Sequence, residues 1–374
     1  MMLGRMRPDG TRRVTVTDDS GLVLHGDVGP EPADRLRPAS ALTPADVAYL
    51  VAIAGRAPSL HNTQPWRFRA YGNVVELIAD RDRKLNRIDP AGREMLISCG
   101  AALYGLRLGL RKLGYIPKVE LLPCPDAPEL IGRVSTAGQA AVTRHEDELL
   151  ASVYHRHTHR GPFTPGDVSS RLLAGLRMDA AAEQAELVVL DRPGQLDDLV
   201  DLVLRAAAEQ AADPEVIAEL SQWVRPAGTQ FRDGIPAFAR VQAVSEAGPH
   251  GAGGGLGPGR LPQRDFGQPG TAPLGGHSPA LTAVLMTGTD SPIDWIRAGQ
   301  ALHRMLLHAA TRWLFASLQS QPLESPALRA ELAARLGLAG EPQLLLQFGR
   351  SNTAPATARR PVSETLTPGT PAPS

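Results

Sequence analysis

A five-residue pattern, Thr-Pro-x-Asp-Val, occurs at Thr43–Val47 and again at Thr164–Val168, and similar sequence follows each copy. Thr caps a helix, Pro fits its first position, and Asp complements the positive end of the helix dipole, so each copy predicts a helix start. After the first copy come the strand-like VVELIADR (Val74–Arg81), a long helix from about Arg93 to Leu113, and a strand at Lys118–Leu122. The apolar residues Leu96, Cys99, Leu103, Leu106, Leu110 and Leu113 advance by alternating steps of three and four, which makes one buried stripe. After the second copy, ELVVLDR (Glu186–Arg192) echoes the first strand. A second long helix is expected over Ile296–Ser317, with Leu302, Met305, Ala309, Trp313 and Ala316 on its apolar face, and PQLLLQFG (Pro342–Gly349) reads as the strand after it. This order predicts an α+β fold of two tandem pseudo-repeats. Chance recurrence of helix and strand in a mixed chain is the competing account.

The two units differ in two places. The first carries PSLHNTQPW between its opening helix and its strand, and the second lacks it. The second carries a long extra segment at about Arg225–Ser278, with GAGGGLGPGR and many prolines, of the kind that forms a lid or stays disordered. The glycine run is not a P-loop, since no G-K-[ST] follows, and no strand precedes it as a dinucleotide fingerprint requires. The expected organisation is a partly disordered leader over 1–40, a first unit over 41–150, a second over 151–366, and a disordered tail over 367–374. Within the leader, Val14–Val16 and Leu22–Leu24 suit a short hairpin.

Bulk composition narrows the partners. A formal net charge of zero gives no field favouring nucleic acid or an anionic membrane, and 4% aromatic residues is thin for base stacking. No apolar run reaches the roughly 20 residues that span a bilayer, and no apolar h-region follows the early arginines. The expectation is a cytoplasmic protein. Cys99 and Cys124 form neither a C-x-x-C pair nor a zinc pattern and read as reduced thiols, with a disulfide as the alternative.

Three clusters carry chemistry. In Arg56–Trp66, prolines stiffen a loop that offers Ser59, His61, Asn62, Thr63 and Gln64. Its amides donate and accept at once, which suits a flat heterocycle; a surface turn bonded to its own backbone is the alternative. In His155–Phe163, Arg156, Thr158 and Arg160 alternate and project to one side of an extended chain, a phosphate clamp in form. His155, His157 and His159 project to the other side, where a metal is conceivable, but no carboxylate or Cys lies at ligand spacing. A solvated basic face is the other reading. Arg359-Arg360-Pro361 alone is an ordinary basic tail.

Together these residues resemble a known family. PSLHNTQPW is similar to the P-S-x-x-N-x-Q-P-W loop of the FMN-dependent nitroreductases, RHTHR to their R-x-S-x-[RK] phosphate motif, and ARRPVSETL to their C-terminal basic stretch. With DPAGREMLISCGAAL and RAGQAL, the pattern resembles the Acg-type branch over about Leu42–Leu366. The resemblance implies a nitroreductase-like fold in which two fused halves form an intrachain pseudo-dimer. The first half keeps the loop but has RLRPAS (Arg35–Ser40) in place of the phosphate motif, and the second keeps the motif and tail but lacks the loop. One FMN site per chain follows, so a monomer suffices, although a homo-oligomer is open. By the same resemblance Pro58, Ser59, His61, Asn62 and Gln64 face the flavin ring, Arg156, Thr158, Arg160, Arg359 and Arg360 approach the phosphate, and Arg56 meets the flavin or anchors the loop. No metal and no catalytic side chain is implied; NADH or NADPH would pass hydride through FMN to a nitro compound, quinone or similar small acceptor. The alternative is a non-catalytic, FMN-sequestering or stress-related protein with a lid closed over the cofactor.

Overall fold

The computed structural model describes residues 12–17, 23–28, 41–160, 163–226, 230–236, 261, 280–352 and 357–368. Arg35–Ser40, GAGGGLGPGR and residues 369–374 lie outside them, as does nearly all of 237–279. The hairpin suggested in the leader is present and longer: β1 (Arg12–Thr17) pairs antiparallel with β2 (Val23–Val28) as a unit by itself.

Residues 40–374 form the second unit. Its chain begins with α1 (Pro44–Ala54), where Thr43 and Asp46 make the reciprocal capping bonds the sequence anticipates. β3 (Trp66–Tyr71), β4 (Val74–Ala79), α2 (Arg93–Lys112), β5 (Tyr115–Leu121) and β6 (Leu130–Gln139) follow. The strands align in the order β3-β4-β6-β5, antiparallel throughout. After α3 (Arg144–Ser152) come α4 (Ser170–Ala182), β7 (Glu186–Val189), α5 (Gln195–Ala211) and α6 (Pro214–Ser221). A short parallel pair, β8 (Val224–Arg225) and β9 (Ile235–Pro236), precedes β10 (Leu281–Thr287). Then α7 (Pro292–Ala310), β11 (Leu314–Gln319), α8 (Gln321–Glu324), α9 (Pro326–Leu336) and β12 (Glu341–Arg350) complete a second antiparallel sheet in the order β7-β10-β12-β11. The chain ends with α10 (Val362–Thr365) and β13 (Leu366–Pro368), which lies parallel to β3 at the edge of the first sheet. Thr367 and Pro368 thus sit in a strand, not in the expected tail.

Three expectations are corrected. The second Thr-Pro-x-Asp-Val does not start a helix: Thr164 N–H donates to the Arg350 carbonyl, Gly166 holds a φ of 145°, and α4 begins only at Ser170 with Ser169 as its cap. The expected helix over Ile296–Ser317 is a helix and a strand. α7 closes at Ala310, Trp313 takes a left-handed φ of 54°, and Ala316 is paired in β11. The strand correspondence also shifts. β7 holds the sheet position of β3 rather than that of VVELIADR in β4, and β12 holds that of β6 rather than β5.

The core is divided by α2 and α7. One cluster gathers Leu50, Trp66, Phe68, Leu103 and Leu106, and the other Leu176, Leu302, Met305 and Phe348. Ile296 of α7 belongs to the first and Ile97 of α2 to the second, so each helix sends an isoleucine into the opposite core. The helices touch backbone to backbone at Gly100 and Gly299. A Cβ on Gly100 would stand 2.1 Å from the Ile296 carbonyl oxygen, and one on Gly299 1.9 Å from that of Ile97. Cys99 is buried with its Sγ 3.2 Å from the Pro65 carbonyl, and Cys124 is half-buried; both are free thiols, which removes the disulfide alternative. Among the described residues no helix is long and apolar enough to cross a membrane.

Candidate functional site

The loop between α1 and β3 is held in an unusual shape. His61, Asn62 and Gln64 all have positive φ, at 46°, 57° and 49°. Non-glycine residues in that region cost about 1–3 kcal/mol each and need surrounding bonds to hold them. Ser59 supplies one: its Oγ accepts from the Gln64 N–H at 3.0 Å. Ser98 on α2 supplies another, accepting from the Leu60 N–H at 3.2 Å. The remaining bonds come from distant chain. Asn62 Nδ2 donates to the Gly234 and Ala358 carbonyls, both at 3.2 Å, and its Oδ1 accepts from Arg359 at 3.0 Å. Gln64 Nε2 donates to the Arg232 carbonyl at 2.8 Å, and its Oε1 accepts from the Arg360 N–H at 2.8 Å. Both amides are therefore engaged as clasps to distant chain, beside the stretch Pro58–His61 of the same loop that lines the adjoining cavity.

The cavity has a volume of about 110 Å³ and opens to solvent on one side. Pro58, Ser59, Leu60 and His61 form one wall, and Thr158, His159 and Arg160 form another. Glu94, Ile97 and Ser98 of α2 line it between them, and Ser317–Ser320 reach it from the end of β11. The loop and the RHTHR segment, a hundred residues apart in sequence, thus share one space.

Arg160 of this lining belongs to a group of interacting arginines. Arg156 is buried; its Nη2 donates to the Arg56 carbonyl at 3.0 Å, while its Nε and Nη1 have no hydrogen-bond partner among the described residues. Arg359 donates to the Arg56 and Ala57 carbonyls at 3.3 and 3.2 Å, and its buried Nε likewise has no partner among the described residues. Burial pushes the Arg156 guanidinium down to about 10, helped by Arg56 and Arg160. Burial alone pushes Arg160 down to about 10. Arg359 is depressed by burial first and then by Arg156, Arg56 and Arg160. These cations act on one another, which is costly unless an anion joins them. Arg56 contributes its carbonyl to both and rests its guanidinium 5.1 Å from the Tyr154 ring centre.

Arg360 departs from that group. It donates to the Gln64 and Trp66 carbonyls at 3.3 and 3.4 Å and lies 3.6 Å from the Asp80 carboxylate, so it fastens the C-terminal stretch to β3. The three histidines lie against aromatic rings: His155 stacks on Trp313 at 5.6 Å and His159 on Phe163 at 4.7 Å, while His157 packs tilted against Phe315 at 4.3 Å. Burial holds His157 at about 4.

No family model matches the chain. Over 330 residues it is 31% identical to a Mycobacterium tuberculosis protein named "Putative NAD(P)H nitroreductase Rv3131", covering 86% of this chain and 90% of that one. The chain belongs to the nitroreductases, in their Acg-type branch. A second M. tuberculosis relative, "Putative NAD(P)H nitroreductase acg", is 29% identical over 326 residues, 84% of this chain and 93% of its own. Among solved structures, a Bacteroides fragilis nitroreductase with bound FMN is similar at a TM-score of 0.33 and 10% identity, over 57% of this chain and 94% of that one. A Desulfitobacterium hafniense nitroreductase with bound FMN gives 0.32 and 12%, over 60% and 94%. At such scores the assignment rests on the sequence relatives.

Sequence reasoning missed the α2 contribution to this nitroreductase's cavity. Glu94 and Ser98 stand four apart in a mostly apolar helix, a polar pair on one face that the leucine stripe obscures. Their turn is held by buried Asp89, whose carboxylate accepts from the Glu94 and Met95 N–H groups at 3.1 and 2.9 Å. Burial raises Asp89 to about 6 despite those bonds and nearby Arg93, with Glu324 adding to the rise. A raised carboxyl gives stability that is complete below its free-chain value of 3.8 and is lost as pH climbs through about 6. At about 1.4 kcal/mol per unit the loss is roughly 3 kcal/mol. Urea unfolding of Asp89→Asn should lack this decline between about pH 4 and 6, relative to wild type; parallel profiles would reject the assignment.

Proposed function

We propose that this nitroreductase binds one FMN per chain in the cavity between Pro58–His61 and Thr158–Arg160. The observation that carries the reading is the set of buried guanidinium N–H groups on Arg156 and Arg359 that have no partner among the described residues. A phosphate dianion accepts several such bonds and relieves the mutual repulsion of the group. Arg160, which acts on both of these arginines, and Thr158 line the cavity itself, and Pro58, Ser59 and His61 flank the flat ring. Asn62 and Gln64 position the loop rather than touch the ring. Ser98 holds the loop to α2 through Leu60. Arg56 anchors the phosphate-binding arginines through its carbonyl, and Arg360 anchors the tail. Bound FMN supplies two-electron chemistry, accepting hydride from NADH or NADPH and passing it to a nitro compound, quinone or similar small acceptor.

The fused pseudo-dimer is part of this proposal. Its supports are the equivalent antiparallel orders β3-β4-β6-β5 and β7-β10-β12-β11, the reciprocal approach of Gly100 and Gly299, and the exchange of Ile97 and Ile296 between cores. The domain division at about residue 150 follows, with the ring-side loop in one half and the phosphate wall in the other. A single chain then completes one site.

One observation favours the sequestering alternative. The first residues of the long segment are fixed against the cavity loop: Asp233 pairs with Arg83 at 2.9 Å and Arg225 at 2.8 Å, while the Arg232 and Gly234 carbonyls hold Gln64 and Asn62. Anaerobic mixing of FMN-loaded protein with NADPH or NADH separates the readings. Prompt bleaching of the flavin band is expected for the oxidoreductase. Persistent oxidised flavin, with reactivity recovered when residues after Pro236 are shortened, would instead establish sequestration. Protein that cannot be reconstituted with FMN sinks both.

A further inference from the structure

We propose that His145, Asp179 and His308 form a binding site for a divalent transition-metal ion of the zinc type. The three come from three helices: His145 from the first turn of α3, Asp179 from α4 and His308 from the last turns of α7. Their ligating atoms all lie within 4.8 Å of one another. His308 Nδ1 is 2.6 Å from Asp179 Oδ2, His145 Nε2 is 3.9 Å from Asp179 Oδ1, and the imidazole centres are 5.0 Å apart. Zinc binds nitrogen and carboxylate oxygen at about 2.0–2.2 Å. Ligand atoms around a tetrahedral ion stand roughly 3.3 Å apart, so an ion here requires the His308–Asp179 pair to open by about 0.7 Å and His145 to draw in by about 1 Å. His145 can draw in, because its side chain is 42% exposed while that of Asp179 is 4% exposed.

The surroundings suit a metal ligand set. Asp179 Oδ1 accepts from Arg304 Nε at 2.9 Å, Arg304 reaches Glu183 at 3.2 Å, and Glu183 takes Arg107 at 2.6 Å. This chain of bonds fixes the carboxylate through Oδ1, as outer partners do around ligating carboxylates, while Oδ2 is held by His308 Nδ1 in a hydrogen bond that the ion would displace together with its proton. The carboxylates of Asp179 and Glu183 together offset the guanidiniums of Arg304 and Arg107. Gly175, one turn before Asp179, makes room for the imidazole. A Cβ there would meet His308 Cε1 at 2.6 Å. Two imidazoles and one carboxylate favour zinc, nickel or copper over magnesium or calcium, and the open His145 side leaves the fourth position to water. The ion would staple α3 and α4 to α7, and α3 runs directly on to Arg156.

The test uses tag-free, FMN-loaded full-length protein, first dialysed against a chelator. Zinc is titrated by calorimetry, and cobalt by its ligand-field absorption. The expected result is one equivalent bound, a raised melting temperature, and at least about tenfold weaker affinity in His145→Ala. His308→Ala should weaken it similarly; because His308 is packed against α4, the exposed His145 variant keeps the test independent of folding. Absence of saturable binding in wild type overturns the proposal. Unchanged affinity in His145→Ala also overturns it and assigns the ion elsewhere.

Discussion

Replacing Arg156 and Arg160 together by alanine is expected to strip FMN from the protein while making the flavin-free form more stable. The first effect follows from charge-assisted bonding to phosphate. Each such bond contributes about 1.5–3 kcal/mol, so the pair should weaken FMN binding by about 10²–10⁴-fold. The second effect follows from the unliganded electrostatics. Arg156 and Arg160 are bases whose folded values are pushed down from 12.5 to about 10. Folding therefore disfavours their charged forms, which are the forms present at neutral pH. Removing them removes that cost, offset in part by the lost Arg156 bond to the Arg56 carbonyl. A rise of a few degrees in apoprotein melting temperature is expected. Unchanged flavin occupancy would reject the phosphate role. Flavin loss with a lower apoprotein melting temperature would mark the pair as structural instead.

Much of this site was legible because its signals are local. Thr43 and Asp46 cap α1 through bonds three residues apart, and the α2 stripe is a repeat within one helix. The alternation in His155–Arg160 sorts arginines from histidines only in part, since His159 lines the cavity together with Thr158 and Arg160. What the sequence leaves open depends on partners far along the chain. Gln64 meets Arg232 and Arg360, so its amide is a clasp although its composition suits a ligand. Arg359 and Arg360 are neighbours of equal charge, yet Asp80 lies beside one and Arg156 acts on the other. The second Thr-Pro-x-Asp-Val has every local feature of a cap but is drawn into an extended pairing by Arg350. Tertiary pairing there overrides helix-start chemistry.

Gly299→Ala is expected to destabilise the fold by about 2–3 kcal/mol, although alanine is ordinarily the better helix residue by about 1 kcal/mol. The added methyl would lie 1.9 Å from the Ile97 carbonyl oxygen and 2.8 Å from the Ala101 nitrogen, both backbone atoms that no rotamer change can clear. The helices must instead separate. That movement also pulls Ile97 and Ile296 from the cores each helix reaches into. Gly100→Ala meets the Ile296 carbonyl at 2.1 Å and should cost a similar amount for the same reason. Because both substitutions demand one shared separation, the double variant should cost less than the sum of the two, a coupling that urea unfolding of the four-member cycle measures. Independent, additive costs would mean that each glycine is accommodated locally and would remove the helix crossing as support for the fused-dimer reading. Near-equal single costs with strong coupling are what a crossing close to a pseudo-twofold axis requires, since each half then presents the same surface to the other.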